Sequence, residues 1–356
     1  MFKFLKRKLF SSSCLGIDIG TSSIKIVELS NKKGKRLANY GQLKSEYFSP
    51  STFRSRTSEG LFLFNENIIE AIKAILNEAK IQEKRCIFAI PDFSTFFTSF
   101  ELPPMSYEEL KEAVKYEAPR HIPLPLSDVT LDWEIIKGAP GEKGRTPLKI
   151  LLVAVPNQVI KQYQQIANAL NLELEALEAE VFALARALIK YQDAKRVVAL
   201  IDIGEKSTTI NVVSKNILKI SYSTDVSGEE ITKVIQEKLE INKRKAEIIK
   251  RMLGIKKEET LKEILLPLIQ QLTREIENVF RQYFAEEREK PEKIILSGGS
   301  ALLPGLREFF QQKFNLPVEI ANPFLGLSYP PGLEEVLKKI GPEFTIAVGT
   351  ALRGLT

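Results

Sequence analysis

Apolar residues along the chain follow two spacings, one typical of buried strands and one typical of amphipathic helices. Short apolar runs predict strands at 15–18, 24–29, 85–90, 93–102, 129–136, 149–155, 197–203 and 293–297, with further strands up to 222. Apolar residues three or four positions apart predict helices at 66–80, 157–170, 181–189, 243–252, 261–289 and 344–353, with others after 229 and 304. Strands interspersed with helices in this way predict α/β domains.

Capping residues and prolines locate several boundaries of these elements. Ser106 followed by Glu109 is the signature of a capping box and predicts a helix to about residue 118, and Asn157 is expected to cap a later one. Three prolines within 119–125 exclude further helix there. A length of 356 residues predicts two domains, and we place their boundary near Asp193.

The composition narrows the class of protein. With 44% hydrophobic and 27% charged residues, the chain is expected to fold rather than to be disordered. Two cysteines and one histidine exclude a disulfide framework and a histidine-rich metal site. Because no apolar run approaches the roughly 20 residues of a membrane span and no signal peptide is visible, we expect a cytoplasmic protein.

Most of the net charge lies at the front of the chain. Residues 1–36 hold nine Lys or Arg against Asp18 and Glu28, a net of +7, which leaves −1 for the other 320 residues because the whole chain carries +6. The basic segment 243–252 has no interleaved aromatic residues, so we predict no nucleic-acid partner and a solvated helix face there. Residues 1–10 predict a basic amphipathic tail on an anionic membrane surface or on a partner; the alternative is a disordered cationic terminus.

An internal repeat carries the main chemical signal. LGIDIGTSSIKIVEL at 15–29 and ALIDIGEKSTTINVV at 199–213 each place Ile-Asp-Ile-Gly at the end of an apolar strand, before a small polar turn and another strand. Glycine lets such a turn approach an anion, and the turn N–H groups and hydroxyls donate hydrogen bonds to it. Aspartate at the strand end can hold Mg²⁺ directly or through water. The matched pairs are Asp18 and Asp202, Gly20 and Gly204, and Ser23 and Ser207.

A third segment fits the same scheme. KIILSGGS at 293–300 predicts a strand, a Gly-Gly bend and then a helix. Bare backbone at such a bend allows a nucleoside to lie against it.

These segments resemble the actin-like ATPase superfamily. DIGTSSIK resembles its first phosphate loop, DIGEKSTT its second, and IILSGGSALLPGL its adenosine motif. The resemblance implies an α/β fold of duplicated ribonuclease-H-like domains that binds ATP and Mg²⁺ between the two. For the basic segment 243–252 it implies an alternative to a solvated face, a position near the nucleotide base. It assigns Mg²⁺ to Asp18 and Asp202, and nucleotide binding to Gly20, Thr21, Ser22, Ser23, Lys25, Gly204, Glu205, Lys206, Ser207, Gly228, Gly298, Gly299 and Ser300.

The region between the two phosphate loops resembles one branch of that superfamily. Residues 92–176 resemble the small inserted strand–helix–strand–strand subdomain, of the SHS2 type, found in the FtsA and PilM families. Residues 101–136, ELPPMSYEELKEAVKYEAPRHIPLPLSDVTLDWEII, are similar to the PilM family in particular. The resemblance implies a tail at 1–13, a first domain at 14–91 and 177–193, an inserted subdomain at 92–176, a second domain at 194–345, and a C-terminal helix at 346–356 packing back on the first domain.

The PilM resemblance also implies a function. Members are cytoplasmic scaffolds at the inner-membrane platform of a type IV pilus or a related secretion machine. The implied partners are the cytoplasmic N-terminal peptide of a PilN-like bitopic protein, held in a groove between the first domain and the inserted subdomain, and other platform proteins or a motor ATPase. The aromatic strand 93–100 is a candidate peptide edge or, alternatively, a core strand.

Several residues depart from the family pattern. Glu205, Lys206 and the single Gly228 stand where relatives have small residues or two glycines, so we expect ATP hydrolysis to be slow or absent. Glu178 or Glu180 is the candidate for orienting an attacking water; the alternative is a solvated helix entrance. Two other functions stay open, a filament-forming ATPase of the FtsA kind and a small-molecule kinase of the same superfamily.

Overall fold

Two sheets of the same strand order organise the chain. A computed structural model describes residues 12–32, 34–48, 52–57, 60–141, 146–256 and 258–355. The predicted basic tail at 1–10 lies outside these residues. The described residues cluster into two compact units. Unit 1 comprises those up to 28, those within 39–180, and 354–355; unit 2 comprises those within 29–38 and 181–353.

Unit 1 contains a central sheet with strand order β3-β2-β1-β6-β10, in which β1, β6 and β10 run parallel. The elements up to residue 179, of which β2 and β3 include residues of the 29–38 segment of unit 2, are β1 (Ser13–Ile19), β2 (Ser23–Ser30), β3 (Arg36–Lys44), β4 (Arg54–Thr57), β5 (Gly60–Leu63), α1 (Asn65–Glu78), β6 (Arg85–Ile90), β7 (Phe96–Leu102), α2 (Tyr107–Glu117), β8 (Val129–Lys137), β9 (Leu148–Pro156), α3 (Asn157–Ala169) and β10 (Glu173–Ala179).

Unit 2 repeats this arrangement with strand order β13-β12-β11-β14-β15, in which β11, β14 and β15 run parallel. Its elements follow α4 (Glu180–Leu188) and are β11 (Val197–Ile203), β12 (Thr208–Ser214), β13 (Ile217–Thr224), α5 (Gly228–Leu239), α6 (Lys243–Leu253), α7 (Glu259–Glu287), β14 (Lys293–Ser297), α8 (Leu306–Phe314), β15 (Val318–Ile320) and α9 (Glu334–Arg353). The strands that carry the repeated sequence, β1 and β11, occupy the central position in each sheet, which confirms the predicted duplicated α/β fold.

The inserted segment has the predicted strand–helix–strand–strand order. β7, β9 and β8 form an antiparallel sheet with β9 in the middle, and α2 covers it. Ser106 and Glu109 form the predicted capping box at the start of α2. Phe100 in β7 is buried and stacks on His121 at 4.7 Å between ring centroids, so this face of the aromatic strand is core.

Several elements differ from the sequence prediction for identifiable reasons. The prediction that Asn157 caps α3 is wrong, because the helix begins at Asn157 itself and its side chain accepts from the Thr130 hydroxyl (2.7 Å) and donates to Ser127 O (2.9 Å). Helix α9 begins ten residues before the predicted 344 and contains Pro342. The strands β3, β4, β5 and β10 lack a clean alternation of apolar residues, and β15 has only three residues; none of these five strands is predicted from the sequence.

The units divide at a different point from the domains drawn on the sequence. Unit 2 begins at Val181 rather than after Asp193, and it contains α9 up to Arg353. The reason is the packing of α4: Gly349 of α9 lies so close to Ala183 that a side chain there would overlap its carbonyl, and Arg186 donates to Gly349 O at 3.1 Å. The five-part domain division stays a prediction.

Candidate functional site

The first glycine turn, residues 19–23, connects β1 and β2 in unit 1. Gly20 N–H donates to Ser23 O at 3.0 Å, and a Cβ on Gly20 would lie 2.8 Å from that same oxygen. Asp18 at the end of β1 is 3% exposed, and its Oδ2 lies 3.2 Å from Lys25 Nζ. The turn therefore needs glycine for its close approach, and it places a carboxylate and an ammonium beside a row of small hydroxyl residues.

Neighbouring segments hold the first glycine turn in place. Ser45 N–H donates to Ser22 O at 2.7 Å, and Phe53 N–H donates to Thr21 O at 2.9 Å. Gln42 Nε2 donates to Ser23 Oγ at 3.2 Å. Because the carbonyls of Thr21, Ser22 and Ser23 already accept hydrogen bonds within the protein, the turn is held in place for a ligand that accepts rather than donates hydrogen bonds.

A buried ion pair beside this turn was not predicted. Arg54 Nη1 donates to Glu180 Oε1 at 2.7 Å, and the Arg54 guanidinium lies 5.7 Å from the centre of the Phe93 ring. Burial alone would lower the pKa of Arg54, but Glu180, Asp18 and Tyr163 together raise it. Arg54 lies in a polar stretch, RSRT, with no apolar pattern, so nothing in the sequence indicated its burial.

The two predicted water-orienting glutamates are both buried. Glu178 is 3% exposed and Glu180 7%, so the alternative of a solvated helix entrance is wrong. Glu178 lies in β10, in register with Ala89 of β6, whereas Glu180 begins α4 and pairs with Arg54.

The second glycine turn, residues 203–207, repeats the geometry in unit 2. Gly204 N–H donates to Ser207 O at 3.0 Å, and a Cβ on Gly204 would lie 2.9 Å from that oxygen. Asp202 is partly exposed and stands in register with Ser297, the last residue of β14. The same local sequence has thus produced the same turn twice, with an aspartate at each strand end.

Gly228 joins the second glycine turn to the Gly-Gly bend. Its N–H donates to Gly204 O at 2.9 Å, and the next residue, Glu229, donates to Glu205 O at 2.8 Å. A Cβ on Gly228 would overlap Ser300 Oγ and lie 3.2 Å from Gly204 O. The structure therefore brings together three segments of unit 2 that lie far apart in the sequence.

Gly298 requires glycine for two independent reasons. Its φ of +84° is unfavourable for other residues, and a Cβ there would lie 2.7 Å from Ile203 C and 2.8 Å from Ile203 N. Gly298 N–H and Ser297 Oγ both donate to Pro342 O, at 2.9 and 3.1 Å. The bend is therefore bare backbone anchored on α9.

Helix α6 packs beside this bare backbone. Lys250, 7% exposed, donates to Gly228 O at 3.0 Å and to Thr232 Oγ1 at 2.8 Å, and it pairs with Glu247 at 2.6 Å. Arg251 Nη1 lies 3.9 Å from Glu343 Oε1. The Glu343 side chain would lie 3.7 Å from a Cβ added to Gly299. The expected solvated face is thus wrong for Lys250, although the neighbouring Ile248 and Met252 are exposed.

Burial and the bonded partners act in opposite directions on the pKa values of Lys250 and Glu247. Burial lowers the pKa of Lys250 even though Glu247 raises it. For Glu247, burial would raise the pKa, but bonds from Lys250, Arg251 and Thr232 lower it from 4.5 to about 2. A carboxylate whose folded pKa is depressed stabilises the protein above its unfolded pKa, and this contribution is lost as the pH falls.

We therefore expect Glu247→Gln to remove stability at pH 7 but progressively less between pH 4.5 and pH 2. The measurement is the free energy of unfolding in urea for wild type and variant across this range. Glu237→Gln, an exposed residue of α5 outside the network, serves as the control. If the free energies of unfolding of wild type and Glu247→Gln differ by the same amount at every pH, the pKa of Glu247 is not lowered by this network.

The described residues contain no group of three or more His, Cys, Asp and Glu side chains that could hold a metal ion. Within the same residues, no helix combines the length and apolarity that crossing a membrane requires.

Two duplicated sheets, each with a glycine turn after its central strand, define the class of actin-like ATPase folds, and solved structures agree. The fold matches the PilM-PilN type IV pilus biogenesis complex with a TM-score of 0.82 and 24% identity, covering 96% of this chain and 98% of that chain. It also matches MreB5 of Spiroplasma citri bound to AMPPNP with a TM-score of 0.55 and 13% identity, covering 96% of both chains.

The family described as type IV pilus assembly protein PilM matches residues 16–355, and the chain belongs to this family. Curated relatives include the cell division protein FtsA of Enterococcus faecalis. It is 24% identical over an alignment of 364 positions, which covers 89% of this chain and 80% of that protein. FtsA of Streptococcus pneumoniae is 21% identical over 86% of this chain and 75% of that protein. The resemblance to PilM, and the relation to FtsA, are confirmed.

Proposed function

We propose that the chain is an ATP-binding scaffold of the type IV pilus inner-membrane platform, located at the cytoplasmic face of that membrane. The observation that carries the nucleotide assignment is the convergence of three glycine segments of unit 2: Gly228 N–H donates to Gly204 O, and Gly298 packs against Ile203 at the second glycine turn. Backbone without side chains is what a nucleotide needs in order to approach closely. Calorimetric titration of the full chain with MgATP tests the proposal, and absence of binding would contradict it.

The residues present fit ATP and Mg²⁺. Gly20 to Ser23 with Lys25, and Gly204 to Ser207, would hold phosphate groups through N–H groups, hydroxyls and ammonium charge. Asp18 and Asp202 would hold Mg²⁺, which usually keeps several waters and takes one or two protein carboxylates, so it needs no larger cluster. Gly228, Gly298, Gly299 and Ser300 would border the adenosine. The bound magnesium would neutralise charge on the phosphates.

The ion pair at Glu180 supports slow or absent hydrolysis. A carboxylate oxygen that already accepts a hydrogen bond from a buried guanidinium at 2.7 Å has fewer lone pairs available to orient a water. Glu178 remains the candidate to orient a water, and it lies buried in β10. We infer a protein that uses bound ATP to stabilise a conformation rather than to drive rapid turnover.

A surface groove in unit 1 supports the proposed peptide partner. Its volume is about 530 Å³, and it is lined by Phe62, Leu63, Phe64, Asn65, Glu66, Asn67 and Gln162. The Phe62 and Phe64 ring centroids lie 5.0 Å apart, and Phe62 is 48% exposed. Aromatic rings beside side-chain amides suit an extended peptide with an apolar anchor. The occupant we propose is the cytoplasmic N-terminal peptide of a PilN-like bitopic protein, since the matching solved structure is a PilM-PilN complex.

Phe62→Ala is expected to weaken binding of a synthetic peptide from that protein at least about fivefold, because truncating an aromatic anchor costs more than about 1 kcal/mol. Fluorescence anisotropy of the labelled peptide measures the change. Phe284→Ala, an exposed phenylalanine of α7 in unit 2, is the matched control and should leave the affinity unchanged. Equal affinity of wild type and Phe62→Ala would place the peptide elsewhere.

A second candidate function rests on the curated relatives, which are FtsA proteins. A filament-forming ATPase would show nucleotide-dependent polymers by light scattering, and a scaffold of the PilM kind would not. Contacts with other platform proteins, with a motor ATPase, and with an anionic membrane surface through residues 1–10 stay predictions.

A further inference from the structure

One short segment, residues 52–54, contacts both the first glycine turn and the groove of unit 1. Phe53 N–H donates to Thr21 O at 2.9 Å, and Phe53 O accepts from Phe64 N–H at 2.9 Å. Phe64 lines the groove and its carbonyl accepts from Ile68 N–H in the first turn of α1. Two backbone hydrogen bonds in series therefore lead from the turn to the groove wall.

The next residue ties this segment to the ion pair. Arg54 stands opposite Leu63, a groove residue, in the β4–β5 ladder, and its guanidinium bonds Glu180. Its Nε has no hydrogen-bond partner among the described residues, and the same holds for the buried hydroxyl of Tyr163, the neighbour of groove residue Gln162. Because this buried donor has no hydrogen-bond partner, a small shift of the guanidinium that gives Nε a partner would stabilise Arg54 in its new position.

The segment is also stiff enough to transmit a displacement. Phe53 is fully buried and packs on Phe48, with ring centroids 5.4 Å apart. Close-packed side chains of this kind move between discrete arrangements rather than deforming gradually. A change in the position of Thr21 is therefore expected to reach Phe64 instead of being absorbed at Phe53.

We propose that Arg54 is a positioning residue that couples the first glycine turn to the groove, so that a phosphate ligand in the turn and a peptide in the groove favour each other. The inference rests on the proposed function for the identity of both ligands. Coupling of this kind is reciprocal, and its usual size is about 5- to 150-fold in affinity.

The charges around Arg54 explain why this residue senses the turn. Asp18 and Glu180 both attract the guanidinium. A cation held at Asp18 would weaken the pull of that carboxylate and leave Glu180, already the stronger attraction, as the main charge acting on Arg54. The guanidinium is then held more firmly at Glu180, which restrains β4 and, through the β4–β5 ladder, Leu63.

Hydrogen exchange of the full chain with and without MgATP, read by mass spectrometry, tests this coupling. In wild type, MgATP is expected to slow exchange in residues 15–25 and also in 60–68, by about fivefold or more. In Arg54→Met/Glu180→Gln, the slowing at 15–25 should persist and that at 60–68 should disappear. Glu180→Gln is included because Arg54→Met alone would leave a buried carboxylate unpaired and would destabilise the fold.

Arg85→Met is the matched control, since Arg85 also pairs with a glutamate, Glu83, at the opposite end of the strands from the turn. It should behave as wild type. Slowing at 60–68 that survives in the double variant would overturn the role of Arg54, and wild-type slowing confined to 15–25 would overturn the coupling itself. If MgATP changes neither segment and calorimetry shows no binding, the nucleotide assignment fails and the coupling fails with it.

Discussion

Gly298→Val is expected to abolish MgATP binding and to lower the free energy of unfolding by roughly 2–5 kcal/mol. The φ of +84° disfavours any side chain, and valine would in addition meet the backbone N and C of Ile203 at less than 3 Å. Backbone atoms of a central strand cannot move aside as a flexible side chain can. The bend must therefore shift away from the second glycine turn, and the bare surface proposed for the adenosine is lost.

Calorimetric titration at a temperature where the variant is folded separates lost binding from lost stability. Gly326→Val is the control, because Gly326 has a similar φ of +86° but has no atom within 4 Å of an added Cβ. Gly326→Val should lower the free energy of unfolding because of backbone strain, and it should bind MgATP with unchanged affinity. Normal MgATP affinity in folded Gly298→Val would contradict the assignment of this bend to the nucleotide.

Asp18→Asn is expected to weaken MgATP binding at least about 100-fold, on the order of 3 kcal/mol. The substitution keeps the size of the side chain but removes the charge that a magnesium ion requires, and it leaves Lys25 without the carboxylate 3.2 Å away. Titrations with ATP in the presence and absence of Mg²⁺ measure the effect. Asp18→Asn should lower the affinity for ATP strongly when Mg²⁺ is present and much less when it is absent.

Glu28→Gln provides the comparison for Asp18→Asn. Glu28 is a carboxylate on β2 whose partner, Asn39, is a neutral amide 2.6 Å away, and it lies outside the proposed site. Its neutralisation should leave the affinity for MgATP unchanged. If both variants lose affinity equally, a general effect of charge on unit 1 would explain the result better than magnesium binding.

The two glycine turns are the part of the site that sequence reasoning located most closely. A turn of this kind is specified by residues within a few positions of one another, so Gly20 and Ser23 form the same 3.0 Å bond as Gly204 and Ser207. The capping box at Ser106 and Glu109 is local in the same sense. The apolar strands around the turns could be recognised because burial on both faces leaves a continuous hydrophobic run.

Contacts between distant positions could not be predicted in this way. Arg54 and Glu180 lie 126 residues apart, and neither the polar strand β4 nor the start of α4 indicates a buried ion pair. Lys250 looked like part of a solvated basic helix until the fold placed its ammonium against Gly228 O. Pro342 lies outside the helix predicted at 344–353, yet it stands inside α9 and its carbonyl accepts from Ser297 and Gly298 in the bend.

The sequence by itself determined the α/β class, the duplicated strand–turn–strand units and the chemistry of their turns, because periodicity and turn residues act over short distances. Tertiary structure alone decided which atoms crowd the glycines, that Glu180 pairs with Arg54, and where a groove opens beside Phe62. Each of these depends on several segments meeting in space, and the chemistry of one segment does not specify its partners. The folded protein joins Gly204, Gly228 and Ser300 in unit 2, and Thr21, Phe53 and Phe64 in unit 1.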